Sequence, residues 1–154
     1  MTRWPAAITL SAAALLIFAC SPAGPEGVDT SVLDREIGQR IGDPSTCVLL
    51  AERTTGKIVY RYGTNTVCAR TYPGCQDEAE QTVEDLLKSL DPAAEGVAIS
   101  CPTATDGSRS VGWAAGPVAG QDLVFAAVME GQRALPGMIM TDRLASAFSA
   151  AGLE

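Results

Sequence analysis

The chain of 154 residues carries 18 Asp and Glu against 11 Lys and Arg and no histidine, for a formal net charge of −7. That balance excludes a nucleic-acid role, because phosphate binding needs clustered Lys and Arg. The missing imidazole excludes a Ser-His-Asp or Cys-His catalytic pair and removes the commonest transition-metal ligand.

Residues 1–19 have the three-part layout of an export signal: a basic start at Arg3, an apolar core from Ala6 to Ala19, and a small residue before the cut. A membrane-spanning helix needs ~20 apolar residues. This run is shorter and breaks off at Ser21, Pro22, Ala23 and Gly24, so it reads as a processed segment. Within it, Ile17-Phe18-Ala19-Cys20 resembles a lipobox, an aliphatic residue and two more ending in a small one before a cysteine. That resemblance implies cleavage before Cys20 and acylation of this cysteine by palmitate-like chains, each buried methylene adding ~0.8 kcal/mol of membrane attachment. Ser21 in place of an aspartate resembles the pattern sorted to the outer membrane, facing the periplasm, in a cell with two membranes. The expected place is therefore the bacterial cell envelope, and the first expected partner is the membrane itself.

Removal of residues 1–19 leaves 135 residues, with 18 acidic against 10 basic side chains, a size that suits one domain. Residues 20–29, rich in Pro, Gly and Ala, read as a lipidated tether, and residues 30–154 as a single α+β domain. Ser31-x-x-Asp34 has the form of a capping box, and Leu33, Ile37 and Ile41 recur every four residues until Gly42, which predicts a first helix. Cys47 to Ala51 and Ile58 to Tyr62 are strand-like and joined through Gly56, a hairpin. From Asp77 to Leu90 the residues Ala79, Val83, Leu86, Leu87 and Leu90 form one helical stripe with acids in its first turn and Lys88 in its last. Strands are predicted over Val97 to Cys101, Ser110 to Ala115 and Leu123 to Met129, and a last helix capped by Thr141 and ended by Gly152. The order α-β-β-α-β-β-β-α predicts a five-stranded, mainly antiparallel sheet with the terminal helices packed on one face.

Besides Cys20 the chain has Cys47, Cys68, Cys75 and Cys101. In an oxidising compartment an even set of thiols predicts disulfides, here two bridges with three possible pairings. No C-x-x-C pair marks a zinc site. The acidic run Asp77, Glu78 and Glu80 has no D-x-D-x-D-G loop around it and reads as an exposed helix start. Neither a metal nor a cofactor is expected.

Cys47-Val48-Leu49-Leu50 through Thr55-Gly56-Lys57, followed by Cys68-Ala69-Arg70 and Pro73-Gly74-Cys75, resembles the opening of class D β-lactamases and related penicillin-recognising proteins. Val111-Gly112-Trp113 is similar to the strand after that family's K-T-G motif, and Leu123 to Met129 and Asp142-Arg143-Leu144 to Ala151-Gly152-Leu153 are similar to its last strand and helix. The resemblance implies S-x-x-K chemistry, but the matching residues are Cys75-Gln76-Asp77-Glu78, a thiol followed by acids. The K-T-G position falls near Thr105-Asp106-Gly107, which lacks a lysine, with Arg109 as the nearest cation. The expected function is a lipid-anchored envelope protein that acts by binding or as a structural part, on a reduced penicillin-recognising fold that has lost its serine chemistry. An envelope protein or a muropeptide is the implied partner. The alternatives are a profilin-like or roadblock-like interaction module with the same element order, and a thiol hydrolase using Cys75. Arg109 and Arg133 are expected as solvated charges, and Trp113 as a packing residue.

Overall fold

The computed structural model describes residues 22–91, 93 and 95–153. The signal over residues 1–19 and Cys20 lie outside the described residues. Nine elements follow in order: α1 (Thr30–Ile41), β1 (Cys47–Glu52), β2 (Ile58–Tyr62), α2 (Asn65–Ala69), α3 (Val83–Ser89), β3 (Val97–Pro102), β4 (Ser110–Pro117), β5 (Leu123–Gly131) and α4 (Gly137–Ala150). The five strands form one open antiparallel sheet in the order β2-β1-β5-β4-β3.

Side chains alternate across a strand, so each strand feeds two faces. On one face Val48, Leu50, Tyr60, Phe125, Ala127 and Met129 meet Leu33, Ile37 and Ile41 of α1 and Met140, Leu144 and Phe148 of α4. The terminal helices do share one face. On the other face Leu49, Ala51, Val111, Trp113, Ala126 and Val128 meet Tyr72 and Val83, Leu86 and Leu87 of α3. Because both faces are covered, Cys47 to Ala51 of β1 are buried without interruption.

The middle helix is shorter than its apolar stripe suggests. Gln76 and Asp77 have φ of 57° and 66°, a left-handed pair that cannot belong to a right-handed helix. The helix starts instead at a capping box in which Thr82 Oγ1 accepts from the Asp85 N–H at 3.1 Å and Asp85 Oδ2 accepts from the Thr82 N–H at 3.0 Å. Its first-turn acids are Glu84 and Asp85, so Asp77, Glu78 and Glu80 lie ahead of it. Helix α1 is likewise capped two residues earlier than the Ser31-x-x-Asp34 pattern implies. Asp29 accepts from the Ser31 N–H at 2.9 Å, and Asp34 instead accepts from the Tyr60 hydroxyl at 2.5 Å.

Helix α4 also begins early, at Gly137 rather than behind a Thr141 cap; Thr141 lies within it and donates to the Gly137 carbonyl at 3.1 Å. A Cβ at position 137 would stand 2.3 Å from the Trp113 carbonyl oxygen and 2.4 Å from the Ile99 N. Only glycine lets the helix start directly on the sheet.

Of the tether expected over 20–29, residues 22–29 lie along the domain. The Gly24 N–H donates to the Val59 carbonyl at 2.9 Å, Pro25 is buried, and Val28 packs against the α1/α4 core. No helix among the described residues is long and apolar enough to cross a membrane.

Candidate functional site

The sequence candidates converge on the face covered by α3. Two disulfides resolve the pairing: Cys47 of β1 with Cys68 of α2, Cα atoms 5.3 Å apart, and Cys75 with Cys101 of β3, Cα atoms 5.8 Å apart. These distances suit unforced bridges, and the bridges imply an oxidising, non-cytoplasmic compartment. Cys75 is therefore a buried half-cystine with no thiolate to offer a carbonyl carbon. No helix N-terminus lies beside it either, because α3 starts eight residues further on, at Val83.

Trp113 is a packing residue, as its apolar strand implies. It is 1% exposed, its indole N–H donates to the Pro73 carbonyl at 3.0 Å, and Tyr72 meets it edge-on with ring centroids 6.0 Å apart. The Tyr72 hydroxyl donates to the Val67 carbonyl at 2.8 Å, and burial, partly offset by Arg70, raises its pKa. Thr105-Asp106-Gly107 does not lie on a strand. It is the exposed turn between β3 and β4, where Asp106 accepts from the Ser108 N–H at 3.0 Å. Hydrogen bonding from the Ser108 side chain, then from its N–H, holds the Asp106 carboxyl below the usual value.

Beside this turn is an ion-pair hub that the sequence does not announce. Glu130, at the end of β5, accepts from Arg109 Nε at 3.2 Å and Nη2 at 2.9 Å, from Arg70 Nη2 at 3.2 Å, and from the Thr103 hydroxyl at 3.4 Å. Arg70 also lies over the Tyr72 ring, 4.3 Å from its centroid, a cation–π contact that fixes the guanidinium plane. Nearby, Arg133 pairs with Asp43 at 2.8 Å. Burial tends to raise the Asp43 carboxyl, but hydrogen bonds from Ser45 and the charge of Arg133 outweigh it and leave the pKa lowered. These groups line a cleft of ≈ 470 Å³. Arg109 and Arg133 are exposed surface charges, and each is also paired with a carboxylate at one cleft. A second, more apolar cleft of ≈ 230 Å³ lies between α3 and the β1–β2 turn, lined by Ile58, Leu87, Leu90 and Val124.

Among the described residues no group of three His, Cys, Asp or Glu side chains is placed to hold a metal ion. The hub was hidden because its members are local to nothing: Arg70 and Glu130 are 60 residues apart. Comparison of the chain with protein-family models, with curated proteins and with solved structures finds no match.

Proposed function

We propose that this chain is a lipid-anchored protein of the bacterial cell envelope, exported, cut before Cys20 and acylated there, whose domain acts by binding or as a structural part on a reduced penicillin-recognising fold. The observation that carries the non-catalytic half is the Cys75–Cys101 bridge. It consumes the one nucleophile that stands at the family's serine position, and the left-handed Gln76 and Asp77 replace the helical turn that would carry a supporting base. The two disulfides support export, since such bridges persist outside the reducing cytosol. The lipobox-like Ile17-Phe18-Ala19-Cys20 supports the anchor, and Ser21 favours the outer membrane in a cell that has one. An envelope protein or a muropeptide is the partner this placement offers.

The anchor would be short. Gly24 is already hydrogen-bonded to β2 and lies four residues after Cys20; at ~3.5 Å per residue the chain spans at most about 14 Å between them. The β2 edge would therefore stand close to the headgroups, with the remainder of the sheet extending away.

The test is metabolic labelling of the producing bacterium with an alkyne-tagged palmitate. The wild-type chain should take up label and Cys20→Ala should not. Equal labelling of the two would overturn the anchor.

A further inference from the structure

We propose that Arg70, Arg109 and Arg133 form a binding cleft for a small multivalent oxyanion, a compound carrying carboxylate or phosphate groups, with Glu130 and Asp43 acting as positioning residues. The inference rests on the binding reading above only in taking the domain to be a binder; it owes nothing to the lipid anchor.

Three features carry it. The first is charge. The chain as a whole is at −7, yet three guanidinium groups face two carboxylates here, which leaves a local excess of positive charge. The second is the way burial is divided. Glu130 is 13% exposed while Arg70 and Arg109 are each 48% exposed, so the carboxylate lies inside and turns both guanidinium groups towards solvent. Arg109 spends Nε and Nη2 on Glu130, and its Nη1 has no acceptor among the described residues. A guanidinium has five N–H donors in a fixed fork that matches carboxylate and phosphate oxygens, so this outer edge is a ready donor. The third is pre-organisation. The Tyr72 ring fixes Arg70, the paired bond to Glu130 fixes Arg109, and Asp43, itself held by the Ser45 N–H and hydroxyl, fixes Arg133. Donors that are already ordered lose little side-chain entropy when an anion arrives.

Gly131 lines the cleft with a φ of +140°, a conformation that favours glycine. The cleft volume of ≈ 470 Å³ exceeds what a single inorganic anion fills, and arginines from three separate segments suit a ligand with more than one anionic group.

A purely structural network would look similar, tying α2, the β3–β4 turn and the end of β5 together, so the experiment has to separate the two. The full chain, purified in a nonionic detergent at pH 7, is titrated with inorganic phosphate and separately with succinate. Ionic strength is held constant with sodium chloride so that general screening cancels. Backbone amide NMR shifts are followed. Saturable shifts confined to the neighbourhood of Ser45, Gly131 and Gln132, with at least one probe binding at a dissociation constant on the order of millimolar, are expected. Phosphate alone, succinate alone or both would each support the cleft and name the preferred oxyanion.

Arg109→Ala strips two donors from Glu130 and threatens the fold, so Arg133→Ala carries the test. Its side chain is 79% exposed and its loss should leave the melting temperature unchanged while weakening binding about tenfold or more, the range of a lost charged hydrogen bond. Lys88→Ala, outside the cleft, should bind as wild type does. Shifts scattered over Lys57 and Lys88, no saturation with either probe, or binding untouched by Arg133→Ala would overturn the proposal. Palmitate labelling reads the anchor alone and this titration the cleft alone, so one can fail without the other.

Discussion

The two faces of the sheet are closed by different means. On one, α1 and α4 are 12 and 14 residues long, bury an apolar stripe each, and carry no cysteine. On the other, α2 and α3 have 5 and 7 residues, lengths at which a helix has little stability of its own. Both disulfides are on this second face. Cys47–Cys68 fastens α2 to β1, and Cys75–Cys101 fastens the segment ahead of α3 to β3. Covalent links stand where helical burial is thin, and the ion-pair hub closes the same side. A short, bridged layer also leaves room beside its parts, and the clefts of ≈ 470 Å³ and ≈ 230 Å³ lie there.

The comparison breaks most sharply under reduction. Each bridge closes a loop of 21 or 26 residues and should contribute about 3 kcal/mol. Losing both removes on the order of 6 kcal/mol, a large share of the ~5–15 kcal/mol of a folded domain. Replacing all four domain cysteines with alanine should therefore expose the amides of Leu86 and Leu87 to fast hydrogen exchange, with Leu144 and Phe148 losing protection only on global unfolding. If α4 and α3 exchange in step from the outset, the second face has no separate dependence on its bridges.

A smaller effect comes from the opposite face. Leu144 is fully buried between α4, α1 and the sheet, and Leu144→Ala should cost about 3 kcal/mol through lost burial and the cavity left behind. In urea unfolding this loss should be the same with and without reductant. A loss that vanishes in the reduced protein would mean that the two faces are not independent.

What the sequence made legible follows from what is local. The strands and terminal helices have strong periodic patterns: Leu33, Ile37 and Ile41 mark the buried stripe of α1, and each predicted strand lies within one or two residues of its observed end. The start of α3 was not legible, because the stripe from Ala79 to Leu90 contains no sign that Gln76 and Asp77 turn left-handed beside a bridged Cys75. Gly137 has the look of a helix breaker, and its use as a close-contact start on Trp113 and Ile99 depends on partners far along the chain. Pairing of the cysteines has the same difficulty, since all three pairings fit the spacing. So does the hub on Glu130, where Arg70, Thr103 and Arg109 come from separate segments.

The finest test of the contrast is at the cap of α3. Thr82 Oγ1 accepts from the Asp85 N–H, and the Asp85 carboxylate accepts in return from the Thr82 N–H and hydroxyl. The hydrogen bond from the Thr82 backbone, then that from its hydroxyl, hold the Asp85 carboxyl below its ordinary value of 3.8. A depressed carboxylate contributes stability that is complete above the unfolded value and is lost as pH falls through the folded one. Thr82→Ala should cost about 1 kcal/mol at neutral pH, read in urea unfolding, and the gap from wild type should narrow below pH 4 as Asp85 protonates in both. In a seven-residue helix the cap satisfies a large share of the free N–H groups, so the loss should also appear as faster exchange at Leu86. A Thr82→Ala chain as stable as wild type would mean that α3 is held by Val83, Leu86 and Leu87 packing on the sheet and by the nearby bridge, with the cap adding nothing.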